Sequence, residues 1–237
     1  KSTMYLQIAL LLGQDGIVNG AIYGLMAVAL VLVFSVTRII FIPQGEFVAY
    51  GALTMAMMQA GKTPSTLWLL LAMAAVALVA ELWRARSGHT GSWSATLLWC
   101  VGFPAVAAVL ALGVKPSSLL LQSITALVLV MPMGPLLYRV AYRPVANASV
   151  LLLLIISVAL HGVLVGLGLL FFGAEGSRTT PFSESKFDIA DISVSGQALV
   201  VLGVALVLVV SLFVFFERSM LGKALRATAI NRVGARL

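Results

Sequence analysis

The sequence predicts an all-α, polytopic helical membrane protein with about seven transmembrane segments. Three observations carry that expectation. Apolar residues make up 61% of the 237-residue chain and charged residues only 10%, with a mean hydropathy of +1.10. A soluble domain carries about 25% charged residues and needs them to face water. The apolar residues lie in long runs, many near the ~20 residues that cross a bilayer as a helix. Those runs do not alternate, which excludes a barrel, the other structure that satisfies its own backbone in lipid.

Taken in order, the runs fall at about 16–36, 39–60, 67–83, 94–112, 117–138, 148–172 and 197–216. Run 67–83 is short and reads as either spanning or re-entrant. Run 117–138 holds Pro132 and Pro135, so it should kink or end there. The longest polar stretch, 173–197, carries Glu175, Glu184, Asp188 and Asp191 against Arg178 and Lys186. The single cysteine, Cys100, sits in an apolar run. It offers neither a disulfide nor a metal-site spacing and reads as a small core residue. The chain starts at Lys1, so a few native residues are expected to be missing; no cationic region and small-residue cleavage site mark a secretory leader.

Cations set sidedness, because cytoplasmic loops are enriched in Lys and Arg. With seven spans and a cytoplasmic tail, the inside carries Arg38, Arg84, Arg86, Arg139, Arg143, Arg218, Lys223, Arg226, Arg232 and Arg236. The outside carries Lys1, Lys62, Lys115, Arg178 and Lys186. The tail is therefore expected inside and the acidic loop outside. The bias persists if 67–83 does not span, so charge leaves six and seven spans open.

Polar chemistry is sparse. His89 lies in a loop and His161 in mid-run, and no HExxH, GxSxG or phosphate-cradling loop occurs. The sequence thus predicts no catalytic residue, no metal site and no ATP site of its own. Polar groups inside a membrane are costly and often functional. Asn19 and Tyr23 are one helical turn apart, as are Ser157 and His161. Each pair reads as lining a pathway or as hydrogen bonding to a neighbouring helix. One histidine without a carboxylate partner makes a poor proton relay. Gly16, Gly20 and Gly24, and again Gly162 and Gly166, follow the small-xxx-small spacing that lets helices approach closely, within the chain or against a partner subunit.

Two stretches are more informative. In "TRIIFIPQGEFVAYGALT", residues 37–54, Pro43 and Gly45 should interrupt any helix between two apolar runs. Irregular backbone at membrane depth is tolerated where it is buried in protein or lines a cavity. Glu46 would face the positive end of the following helix. Gln44, Gly45 and Glu46 are therefore candidate pathway residues; the alternative is a cytoplasmic turn with a capping glutamate. In the tail, "ERSMLGKALRATAINRVGARL", a helical wheel puts Leu221, Leu225 and Thr228 on one side with Ala224 beside them. Lys223, Arg226 and Ile230 lie opposite, and the pattern rotates after Asn231. The expectation is a short helix, a break near Asn231 and the start of another helix. Gly222, Ala224 and Ala227 keep the first helix slim. Such a helix suits a groove on a partner protein or, alternatively, an anionic lipid surface.

These residues carry a resemblance. "YRVAYRPVANASVLLLLIISVAL", "LLFFGAEGSRTTPF" and the tail resemble the permease subunit of bacterial branched-chain amino acid ABC transporters (LivH type). "GIVNGAIYGLMAVALVLVFSVTRIIFIPQGEFVAYGA" is similar to that family's first spans, and the likeness covers most of the chain outside about 62–130. Residue by residue, Tyr138, Arg139, Val140, Ala141, Tyr142, Arg143 and Pro144 correspond to the family's ERVAYRP cytoplasmic loop. Gly222, Lys223, Ala224, Leu225, Arg226 and Ala227 correspond to its GRALRA-like loop, which contacts the ATPase. Gln44, Gly45 and Glu46 match its NxAQGE stretch, whereas Phe41 and Pro43 depart from the usual Asn and Ala.

The resemblance implies a non-catalytic permease of an ATP-driven importer in the bacterial cell inner membrane. ATP and Mg would be bound by two separate ATP-binding subunits, with no cofactor in this chain. It also implies a second permease subunit (LivM type) or a homodimer, a periplasmic solute-binding protein, the lipid bilayer and no nucleic acid as partners. Family members continue for several spans beyond the coupling loop. The expectation is therefore one transmembrane permease domain over 1–237, incomplete at its C-terminus, with 217–237 as the cytoplasmic coupling segment. Extra apolar sequence at about 62–130 favours seven spans over six. A secondary transporter or channel ranks lower, because it predicts ionisable pairs near mid-bilayer and only His161 is found there. A non-transporting membrane scaffold is the third reading.

Overall fold

A computed structural model describes residues 2–87, 93–113, 118–189 and 192–230. Lys1, His89, Lys115, Asp191, Asn231, Arg232 and Arg236, and with them the expected break near Asn231, lie outside the described residues. Every apolar run is helical. In chain order the helices are α1 (Ser2–Thr37), α2 (Gln44–Gln59), α3 (Ser65–Arg86), α4 (Trp93–Leu97), α5 (Phe103–Gly113), α6 (Leu119–Val130), α7 (Met133–Leu137), α8 (Val150–Phe172), α9 (Gly196–Arg218) and α10 (Met220–Ile230). Among the described residues, six helical stretches are long and apolar enough to cross a membrane: Ile8–Thr37, Ser65–Arg86, Trp93–Gly113, Leu119–Val145, Val150–Phe172 and Gly196–Arg218. The chain is an all-α, multi-pass membrane protein.

Two details differ from the sequence reading. The run suspected of being short, 67–83, belongs to a 22-residue helix. The run at 39–60 instead yields only the 16 residues of α2, about 24 Å at 1.5 Å per residue. The shortfall of α2 comes from its start. Gln44, Gly45 and Glu46 are helical, while the break falls before them, with Pro43 at the cap position. Proline suits a helix start, where a missing N–H costs nothing, and not a helix interior.

The residues group into two compact units, Lys1–Phe41 with Pro181–Leu237, and Ile42–Thr180. In the first unit α1 packs on α9 and α10. α1 ends at Arg38, whose φ is 61° and whose N–H donates to the Phe34 carbonyl at 2.8 Å. This left-handed helix end is usually left to glycine. The polar loop contains a two-stranded antiparallel hairpin that the sequence reading did not anticipate. β1 (Lys186–Ile189) pairs with β2 (Ile192–Ser195), Lys186 opposite Ser195 and Phe187 opposite Val194. Gly196 closes its base. A Cβ there would lie 2.5 Å from Ser183 Oγ, and its N–H donates to the Ser185 carbonyl at 2.8 Å.

In the second unit α3 is the central element, burying Leu67, Leu69, Leu70, Ala74 and Ala77. Around it stand α2, α5, α6, α7 and α8, which contribute Leu129, Met133, Leu136 and Leu153 to the core. Pro132 interrupts the span as expected: α6 stops at Val130, and a turn leads into α7, which takes Pro135 into its first turn. Two single π turns, Leu98–Gly102 and Tyr138–Tyr142, each end two residues before a proline. The N–H of Phe103 reaches back to Leu98, and that of Arg143 to Tyr138. Pro104 and Pro144 bring no N–H and crowd the preceding turn, so a wider turn accommodates them without ending the span.

Candidate functional site

The site begins with two helices lying side by side. Glu46 stands in the first turn of α2, and Tyr50 follows one turn later on the same side. On α8, His161 lies eleven residues in, about 16 Å along the helix. That is close to the middle of a 23-residue span. His161 Nδ1 is 2.7 Å from Glu46 Oε1. The contact has the length of an ion pair but not the alignment of a hydrogen bond. Among the described residues His161 Nδ1 and Glu46 Oε2 are both buried without a hydrogen-bond partner. The Glu46 side chain is 13% exposed and that of His161 46%.

Tyr50 fastens the two helices. It is buried, its hydroxyl donates to the Leu164 carbonyl at 2.5 Å, and its ring stacks on Phe172 at 5.7 Å. Gly168 makes room for it, since a Cβ there would come within 3.2 Å of the Tyr50 ring. Further along, the Gln59 side-chain carbonyl accepts from the Thr180 N–H at 2.8 Å, in the loop after α8. α2 therefore runs alongside α8 from its middle to beyond its C-terminal end. Its N-terminus lies at mid-span, capped by a proline with no side-chain capping bond. This places the positive end of a helix, a carboxylate and an imidazole together deep in the bundle. Such a set can hold a small zwitterion or carboxylate, or exchange a proton.

The other expected pathway residues fall elsewhere. Ser157 is fully buried; its hydroxyl pairs with that of Tyr142 at 2.8 Å and donates to the Leu153 carbonyl at 3.0 Å. It ties α8 to the π turn and does not face His161's partner. Gln44 and Gly45 share the first turn of α2 with Glu46. Asn19 and Tyr23 belong to α1 in the first unit and are exposed. Among the described residues nothing lies within 4 Å of where a Cβ would stand on Gly16, Gly20, Gly24, Gly162 or Gly166. Of the two readings left open for these glycines, the described residues supply no close intrachain neighbour, and the glycine that admits a neighbour on α8 is Gly168.

At the other candidate site, the tail turns sharply after α9. Ser219 caps α10: its Oγ accepts from the Gly222 N–H at 2.8 Å and its carbonyl from the Lys223 N–H at 3.0 Å. A Cβ on Gly222 would lie 2.3 Å from the Phe215 carbonyl and 2.6 Å from Phe216 Cα. Only glycine fits the corner. This rotates the packed side relative to the expected wheel. Gly222 is buried, and Leu225 and Ala229 flank a cleft of about 360 Å³ lined also by Val28, Leu32 and Phe213. Leu221 is 71% exposed, so it leaves the packed side. Lys223, Ala224, Arg226 and Ala227 are exposed, together with Met220 and Ile230.

A third cluster was not singled out in the sequence. Glu81 on α3 is buried and faces three guanidinium groups, Arg84 at 3.4 Å, Arg139 at 3.8 Å and Arg143 closer still. Arg139 also donates to Thr96 Oγ1 at 3.1 Å and the Ala95 carbonyl at 3.2 Å, and Arg84 to the Arg139 carbonyl at 3.1 Å. The cluster binds α3, α4 and the second π turn at one end of the unit. Only the Glu81–Arg84 spacing was available as a local signal.

Compared with known proteins, the chain matches no family model, no curated protein and no solved structure.

Proposed function

We propose that the chain is the membrane-spanning permease subunit of an ATP-driven importer for branched-chain amino acids or related small amides and carboxylates, working in a bacterial inner membrane. The observation that carries this reading is α10: a slim, cationic helix set off from the last span by the Ser219–Gly222 corner. Exposed Lys223 and Arg226 on a helix fixed at its start suit a groove on a cytosolic ATPase. Gly222, Lys223, Ala224, Leu225, Arg226 and Ala227 form the coupling element. ATP and Mg remain with two partner subunits, and a second permease copy or subunit completes the pathway. A solute-binding protein docks on the outer loop. Glu46 recognises the ammonium group of the solute, and the N-terminus of α2 with His161 its carboxylate. Motion of the ATPase acts through α10 to bias the spans between two states.

A second reading is favoured by one specific contact. His161 has the carboxylate partner that the sequence did not reveal, and an ionisable pair at mid-span is what a proton-coupled secondary transporter requires. One experiment separates the two. Membrane vesicles containing the chain and its native partners are energised with ATP or with an imposed proton gradient, and uptake of labelled leucine is followed. The importer reading expects ATP-dependent uptake that Arg226→Glu and Gly222→Val abolish while the protein stays in the membrane. Uptake driven by the proton gradient alone, and indifferent to both variants, would replace it with the second reading.

A further inference from the structure

The Glu81 cluster holds more positive charge than its own fold neutralises. Arg84, Arg139 and Arg143 share the single carboxylate of Glu81. Arg86, at the end of the same helix, is exposed and makes no ion pair among the described residues. The Arg143 side chain is 41% exposed despite its contact with Glu81. Four guanidinium groups against one carboxylate leave a surplus of positive charge at one end of the spans.

The surroundings fix the depth of that end. Trp83 is 75% exposed, Trp93 48% and Tyr138 41%. All three stand beside the arginines, on the last turn of α3, the first turn of α4 and the start of the second π turn. Exposed Trp and Tyr with Arg at the ends of spans mark the boundary between hydrocarbon and headgroups. Below them an open groove of about 400 Å³ is lined by Val79, Leu82, Trp83, Arg86 and Ser87. Its apolar side, Val79 and Leu82, lies further into the span, and its cationic end is Arg86. That is the polarity of a phospholipid, with acyl chain inward and phosphate outward.

We infer that this end of the second unit is a binding site for an anionic phospholipid. The phosphate diester sits at Arg86, and one acyl chain lies along Val79, Leu82 and the Trp83 ring. Guanidinium groups are suited to phosphate because their planar donors meet two oxygens at once. The excess positive charge selects a net-negative headgroup over a zwitterionic one. Glu81 gathers Arg84, Arg139 and Arg143 on its Oε1 and so holds the groove's wall, the end of α3, against the π turn.

The test uses the full chain in mild detergent, with native mass spectrometry of bound adducts. It is titrated separately with phosphatidylglycerol, phosphatidylcholine and inorganic phosphate. Phosphatidylglycerol adducts should predominate. Arg86→Gln should weaken them about fivefold, the order expected for one cation at an anionic headgroup, and weaken phosphatidylcholine adducts less. Val79→Trp, which fills the groove, should also reduce them, and Arg86→Lys should recover most of the loss. Both positions are exposed, so thermal unfolding of the variants is expected to match the wild type and serves as the folding control. Equal retention of the two lipids, or phosphatidylglycerol binding unchanged in Arg86→Gln and Val79→Trp, overturns the proposal. So does displacement of the lipid by inorganic phosphate with no effect of Val79→Trp, because the groove would then contribute nothing.

Discussion

Glu46 and Glu81 are both carboxylates set among the spans of one compact unit, yet their surroundings differ in kind. Glu81 faces three guanidinium groups, two of which also donate to backbone or hydroxyl oxygens of other elements. Glu46 faces one imidazole, half exposed, and has an oxygen without a hydrogen-bond partner. A guanidinium is always charged, whereas an imidazole carries charge only when protonated. The first arrangement is permanent and over-determined. The second is sparse, and its strength depends on protonation and on whatever else enters. The first kind of contact holds helices in place; the second is one that another charged group could replace.

The largest effect is expected where the fixed contact is removed. Glu81→Ala leaves three buried or half-buried cations uncompensated. Removing one partner of such a network costs about 3–5 kcal/mol, read as a fall in thermal stability in detergent and as loss of monodisperse protein. A stability equal to wild type would show that lipid or water, and not Glu81, balances the arginines. Next comes Gly168→Leu on α8. It drives side-chain atoms into the Tyr50 ring, and overpacking of this kind costs about 1–3 kcal/mol. The same thermal scan checks it. Tyr50→Phe is milder. It loses the hydroxyl bond to the Leu164 carbonyl but keeps the stack on Phe172, for an expected loss of about 1 kcal/mol.

How much of this was legible in the sequence follows from the range of each signal. Spans are local, and hydropathy places α8 and α9 to within a residue or two of their observed ends. Proline is local too, so the break after α6 was expected at Pro132. Proline's effect on a helix start was misread: Pro43 closes the preceding irregular stretch and lets Gln44, Gly45 and Glu46 begin a helix. Glu46 and His161 were each singled out, but their meeting depends on how α2 lies along α8. That is set by Tyr50 and Gly168, which look like ordinary span residues in the sequence. The Glu81 cluster is not legible locally, because two of its three partners, Arg139 and Arg143, lie far along the chain at the end of another span. On the tail, the wheel assigned Leu221 to the packed side, since nothing local says that Gly222 must sit on the Phe215 carbonyl.

The smallest change in stability and the sharpest test of the comparison come from the same substitution, Glu46→Gln. It keeps the shape of the side chain and removes the charge. A single contact to a half-exposed histidine contributes at most about 1 kcal/mol, so thermal unfolding should move little. The first turn of α2 would also lose a favourable anion, a term of about 0.3–1 kcal/mol. Under the proposed importer function, solute uptake should by contrast fall at least about tenfold, because the proposed charge-assisted contact to an ammonium group is lost and such bonds are worth about 1.5–3 kcal/mol. The paired measurement separates the two roles. A large loss of stability with Glu46→Gln would make this carboxylate a second structural anchor like Glu81. A stable variant with unimpaired uptake would take Glu46 and the N-terminus of α2 out of the pathway, and would leave the mid-span histidine without a functional partner.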